Sequence, residues 1–64
     1  FKDGIKEIAK KVTEEAGEVS IAAVTKDGRV ISESADLMYH LLVMLRAQNL
    51  NYSDVLDELE LRSK

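Results

Sequence analysis

The chain has no cysteine and no proline, and only three glycines and one histidine in 64 residues. Without cysteine it has no disulfide, no thiolate nucleophile and no cysteine-built zinc cluster, and a reducing, intracellular setting fits. Without proline, only Gly17 and the Gly28 region interrupt a helical reading. No glycine-rich phosphate loop is present, and Ser20, Ser32 and Ser34 have no evident partner base. Basic residues are in deficit: nine Lys and Arg against twelve Asp and Glu leave a net charge of −3, which is no footprint for nucleic acid. No apolar run approaches the roughly 20 residues that cross a bilayer; the longest strongly apolar stretch is Leu41 to Leu45. The first residues do not read as a secretory signal. The chain starts at Phe1 rather than Met, so a fragment, a processed chain or an ordered core is expected.

A chain of this size forms one domain, spanning residues 1–64. Domains near 60 residues bury only about 60% of the surface their unfolded chains expose, so many lean on a partner or a metal. Ile5, Ile8, Ala9, Val12, Ala16 and Val19 recur at helical spacing and predict a first helix over about 3–25. Gly17 inside it costs about 1 kcal/mol relative to Ala; close packing against another helix is the favoured reason, room for a ligand beside Glu18 the other. Thr25 to Arg29 is a polar turn carrying Asp-Gly. The helical periodicity of both flanks argues against a β-hairpin there. A second helix is expected over about 30–48. From Leu37 to Leu45 it is apolar almost all round, with Met38 and Met44 read as core and Tyr39 as either dimer packing or substrate stacking. A helix apolar on every face is buried on every face, and two short neighbours cannot cover it. Asn51 is placed to cap a third helix with Asp54 in its first turn and Val55, Leu56 and Leu59 as its stripe. Ser63-Lys64 reads as a frayed tail. The expectation is an all-α helical bundle, mainly three helices per protomer, completed by dimerisation through the second helix.

What the chain does have is acid in matched pairs. Glu15 and Glu18 form Glu-x-x-Glu; Glu33 and Asp36 form Glu-x-x-Asp one short turn later. Residues three apart share a helix face, so on antiparallel helices the four carboxylates can converge. His40 lies on the Glu33–Asp36 face at i+7, and Lys11 on the Glu15–Glu18 face. Both sets adjoin an apolar stripe, where an unpaired charge is costly. Converging carboxylates call for a cation, and hard oxygen ligands suit Mg²⁺, or alternatively Mn²⁺. Such a metal can polarise a phosphoryl oxygen, with Lys10, Lys11, Lys26 and Arg29 available for other phosphate oxygens. The plainer readings are acidic pairs on a solvated face, a Lys11–Glu15 i,i+4 ion pair worth a few tenths of a kcal/mol, and a structural His40.

At these residues the chain resembles a known family. Lys10-Lys11-Val12-Thr13-Glu14-Glu15-Ala16-Gly17-Glu18-Val19 is similar to the first motif of phosphoribosyl-ATP pyrophosphohydrolases, and Glu33-Ser34-Ala35-Asp36-Leu37-Met38-Tyr39-His40-Leu41-Leu42-Val43 to the second. The segment from Asn51 to Leu59 resembles the family's last helix. The acidic signature belongs to the wider all-α, MazG-like nucleoside-triphosphate pyrophosphohydrolases; the Asp-Leu-Met-Tyr-His-Leu-Leu-Val string narrows it. The resemblance implies hydrolysis of phosphoribosyl-ATP to phosphoribosyl-AMP and pyrophosphate, the second step of histidine biosynthesis. It implies Mg²⁺, a homodimer or higher homo-oligomer, and a cytoplasmic setting. It assigns Glu15, Glu18, Glu33 and Asp36 as metal ligands, groups Glu14 with Glu15 and Glu18 as catalytic, and gives Glu14 the part of orienting a water or supporting the ligands from behind. It assigns Lys10, Lys11 and His40 to phosphate contact or support behind the ligands. Thr13 stands where the family pattern leads one to expect Gly, the Lys26-to-Ile31 connection reads as short, and a segment before Phe1 is expected to pack on the bundle. Two alternatives stand beside this reading: a MazG-like housekeeping hydrolase acting on other nucleotides, and a non-catalytic helical dimerisation module.

Overall fold

In the computed structural model, which describes residues 4–63, the chain folds into three helices: α1 (Gly4–Thr25), α2 (Val30–Ala47) and α3 (Tyr52–Arg62). Asp3, where the sequence reading starts the first helix, and Lys64 of the expected tail lie outside the described residues. No strand occurs among the described residues. Charges match the helix dipoles: Glu7, Glu33 and Asp54 occupy first turns, and Arg46 and Arg62 last turns.

Each helix ends for a local reason. α1 closes on Lys26, which adopts a left-handed backbone at φ 55° and donates its N–H to the Ala22 carbonyl at 3.0 Å. This is the single-bond left-handed cap, made without its usual glycine. Gly28 then turns at φ 83°. Between them Asp27 accepts the backbone N–H of Arg29 at 3.0 Å and its guanidinium at 3.1 and 3.2 Å. α2 ends in a Schellman motif with Asn49 left-handed at φ 60°. There Asn49 N–H reaches Arg46 O and Leu50 N–H reaches Leu45 O, at 3.0 and 2.9 Å. Asn51, in extended backbone, opens α3, and its N–H donates to the Asp54 carboxylate at 3.3 Å.

α1 and α2 pack antiparallel, and this hairpin is the only extensive helix pair among the described residues. Ile8 and Ala22 are its buried side chains among the described residues. On α2, Glu33, Leu37, His40, Leu41 and Met44 are half-buried. Their spacing marks one face, and Glu33 and His40 meet α1 from it. α3 packs only loosely on the hairpin. The molecule is therefore thin, 40 × 35 × 13 Å, with a radius of gyration of 13.5 Å; a compact chain of this length has about 11 Å.

Two expectations need correction within the protomer. Met38 is not core: it is 51% exposed, like Tyr39 and Leu42 beside it, because the hairpin covers only one side of α2. Gly17 is not a close-packing site either, since a Cβ there would meet no atom within 4 Å. α3's Leu56 and Leu59 are also exposed, while its charged face carries an Arg62–Glu58 pair at 2.9 Å.

Candidate active site

The hairpin brings one acid of each pair together, Glu18 and Glu33. α1 supplies Glu15 and Glu18, α2 supplies Glu33 and Asp36, and the antiparallel packing sets Glu15 opposite His40 and Glu18 opposite Glu33. Only 13% of the Glu15 side chain is exposed, and its Oε1 lies 2.6 Å from His40 Nδ1. The same nitrogen lies 3.2 Å from the Asp36 carbonyl oxygen. The Tyr39 ring meets the His40 ring edge-on, centroids 5.0 Å apart.

Loss of hydration pushes the Glu33 carboxyl above the usual carboxylate range, and the facing Glu18 charge adds to this. Asp36 raises it further, and Arg29 pulls the other way. Of the four acids along the α1–α2 seam, Glu33 carries this strain, against Glu18. The four are not a closed cage: among the described residues no three carboxylate or imidazole groups stand together as a ready metal-binding cluster.

The Glu33 shift has a definite sign. A carboxyl whose folded pKa is raised stabilises the fold below its unfolded pKa, and that contribution is lost as pH rises through the folded value. Metal-free protein is therefore expected to lose thermal stability as pH climbs from about 4.3 through Glu33's raised value. The slope should flatten in Glu33→Gln. Melting curves in chelator across that window check this, and an unchanged slope in the variant would refute it.

The basic residues are distributed differently. Arg29 is held in the turn by Asp27, whose carboxyl drops below its usual range through the Arg29 backbone N–H and then its guanidinium. In return Asp27, and after it Glu33 and Glu18, hold the guanidinium protonated. Arg29 thus sits at the turn end of the acidic strip. Lys10, Lys11 and Lys26 are exposed, as is Glu14. Lys11 forms no ion pair with Glu15 among the described residues; the Glu15 carboxylate is taken by His40 instead. Sequence reasoning placed His40 on the right face but missed this partner. The sequence places His40 one turn after Asp36 and Glu15 one turn before Glu18, both on the inward face, without showing that the two meet.

An open apolar groove of about 610 Å³ lies elsewhere, between Gly4 and Ile5 of α1 and Tyr39, Leu42, Val43 and Arg46 of α2. None of the four acids lines it. Its apolar walls suit protein contact better than a polyphosphate, so the acidic seam is the better candidate for chemistry.

The phosphoribosyl-ATP pyrophosphohydrolase (PRA-PH) profile matches residues 1–63. The chain is 51% identical to the phosphoribosyl-ATP pyrophosphatase of Pyrobaculum aerophilum over all of its own length and 69% of the relative's. It is 54% identical over 97% of its length to the histidine biosynthesis bifunctional protein HisIE of Bacillus subtilis, of which it covers 30%. It is 48% identical over its whole length to the HisIE protein of Blochmanniella floridana, again covering 30% of that protein. The chain thus spans about three-tenths of the length of these bifunctional relatives. No solved structure is matched significantly. A family match that runs through both acidic pairs and all three helices leads to one conclusion: the chain belongs to the phosphoribosyl-ATP pyrophosphohydrolase family.

Proposed function

We propose that the chain hydrolyses phosphoribosyl-ATP to phosphoribosyl-AMP and pyrophosphate, the second step of histidine biosynthesis, in a Mg²⁺-dependent reaction in the cytoplasm. The observation that carries this is the seam itself: Glu18 and Glu33 face each other across two helices with Glu33's carboxyl pushed up. Like-charged carboxylates in that position are relieved by a cation, and an all-oxygen donor set fits Mg²⁺ or Mn²⁺ rather than Zn²⁺. Glu15, Glu18, Glu33 and Asp36 would hold it. When bound, such an ion neutralises phosphate charge and lowers the pKa of water.

The chain's own residues do the rest. The strip of acids along the hairpin repels a bare triphosphate, so the cation they would hold would also have to offset the substrate's charge. The products place the cleaved bond between the α and β phosphorus atoms. Glu14, exposed one position before Glu15, is available to orient the attacking water. Lys10 and Lys11 are available to outer phosphate oxygens from α1, and Lys26 and Arg29 from the turn. A second copy of the chain covers the exposed side of α2, making a homodimer.

Incubating the protein with phosphoribosyl-ATP and following pyrophosphate tests the reading. Release that requires Mg²⁺ and stops with chelator is expected. Preference for dCTP or dUTP would replace it with a housekeeping hydrolase, and no release from any nucleotide would leave a non-catalytic dimerisation module.

A further inference from the structure

We propose that His40 is a positioning residue for Glu15 rather than a phosphate ligand, and that it acts through a fixed hydrogen on Nδ1. The inference rests on the metal role proposed for Glu15. His40 Nδ1 lies 2.6 Å from Glu15 Oε1 and 3.2 Å from the Asp36 carbonyl oxygen. A carbonyl oxygen only accepts, and so does an ionised carboxylate. Both contacts are therefore satisfied together only when Nδ1 carries the hydrogen. A neutral ring in that tautomer has a bare Nε2, which accepts hydrogen bonds and cannot donate one to a phosphate oxygen. This removes the neutral ring from the phosphate-binding set that the motif alone places it in.

The ring is well held for the task. Its own helix supplies the Asp36 carbonyl one turn back, and the Tyr39 ring meets it edge-on. His40 is 22% exposed and Glu15 13%, so the bond between them is partly shielded from competing water. With Oε1 bound, the rotation of the carboxylate is restrained and Oε2 remains as the oxygen for a ligand. The contact also bridges α1 to α2, so one imidazole both orients a ligand and fixes the register of the helices that carry the two acidic pairs. Groups behind a metal ligand act in this way, by orienting it and raising its basicity.

His40 is the chain's single histidine, so its ring nitrogens can be read without overlap. A long-range ¹H–¹⁵N spectrum of the metal-free protein at pH about 8, above the ordinary imidazole range, is expected to show hydrogen on Nδ1. A neutral ring with hydrogen on Nε2 would overturn the proposal. Titration with Mn²⁺ alone supplies the second arm. His40→Leu should weaken Mn²⁺ binding about 10- to 100-fold. His40→Asn, which returns an amide N–H close to the Nδ1 position, should recover most of that loss. Two variants that bind as the unaltered protein does, or that lose affinity equally, would refute the positioning role. Failure of the unaltered protein to bind Mn²⁺ would instead sink the metal reading of Glu15, and the tautomer measurement, which needs no metal, would still decide the tether.

Discussion

Asp36→Asn is expected to lower kcat/KM for phosphoribosyl-ATP about 10³-fold, some 4 kcal/mol of barrier, while leaving helical content unchanged. The amide has the carboxylate's shape but supplies one neutral oxygen where a Mg²⁺ shell draws on charge. Asp36 is exposed and its side chain supports no packing. What the fold takes from this residue is its backbone carbonyl, which receives the His40 ring and is unaffected by the substitution. Asp36 is also one of the charges that raise the Glu33 carboxyl, so its removal should leave the metal-free melting temperature no lower than before. Loss of turnover with an intact melting curve is therefore the expected pair of results. Full activity in the variant would take Asp36 out of the site.

Leu42→Asp is expected to convert a homodimer to monomer, weakening association at least about 100-fold, or 2.8 kcal/mol. The protomer exposes 5210 Å², whereas a compact monomer of its mass exposes roughly 4,100 Å². The excess, roughly 1,100 Å² per chain, doubles to an area within the range of obligate dimers. Its position is equally specific: Met38, Tyr39 and Leu42 are exposed together on α2, and Leu42 lines the apolar groove beside Ile5. A carboxylate at the middle of such a surface loses its hydration with no partner. Sedimentation equilibrium distinguishes the outcomes. A dimer that tolerates Leu42→Asp, or an unaltered protein that sediments as monomer at micromolar concentration, would rule out this face.

The helices were legible because composition left few alternatives. With no proline and a 3.6-residue apolar period, α1 and α2 fall within a residue or two of their expected ends, and Asn51 and Asp54 marked the start of α3. The acidic pairs were legible as well, since spacing alone puts each on one helix face. What the pattern did not carry was pairing across the seam. Periodicity says that Glu15 and His40 face inward, but only the register of the hairpin says that they meet. The partner of Arg29 was likewise not legible: Asp27, two positions earlier, closes a turn onto it. Met38 was read as core because its stretch of α2 is apolar almost all round, and Gly17 as packed because a glycine inside a helix suggests the close approach of a neighbour.

The turn from Lys26 to Arg29 has a consequence for how this unit travels between proteins. Because a few residues join α1 to α2, every proposed metal ligand lies between Glu15 and Asp36 in one unbroken stretch of chain. No ligand has to be recruited from a distant part of the sequence. Such a hairpin can be joined to another domain without redrawing its own donor set. That property suits a family whose members include both separate pyrophosphatases and bifunctional proteins in which the matched region is about three-tenths of the whole.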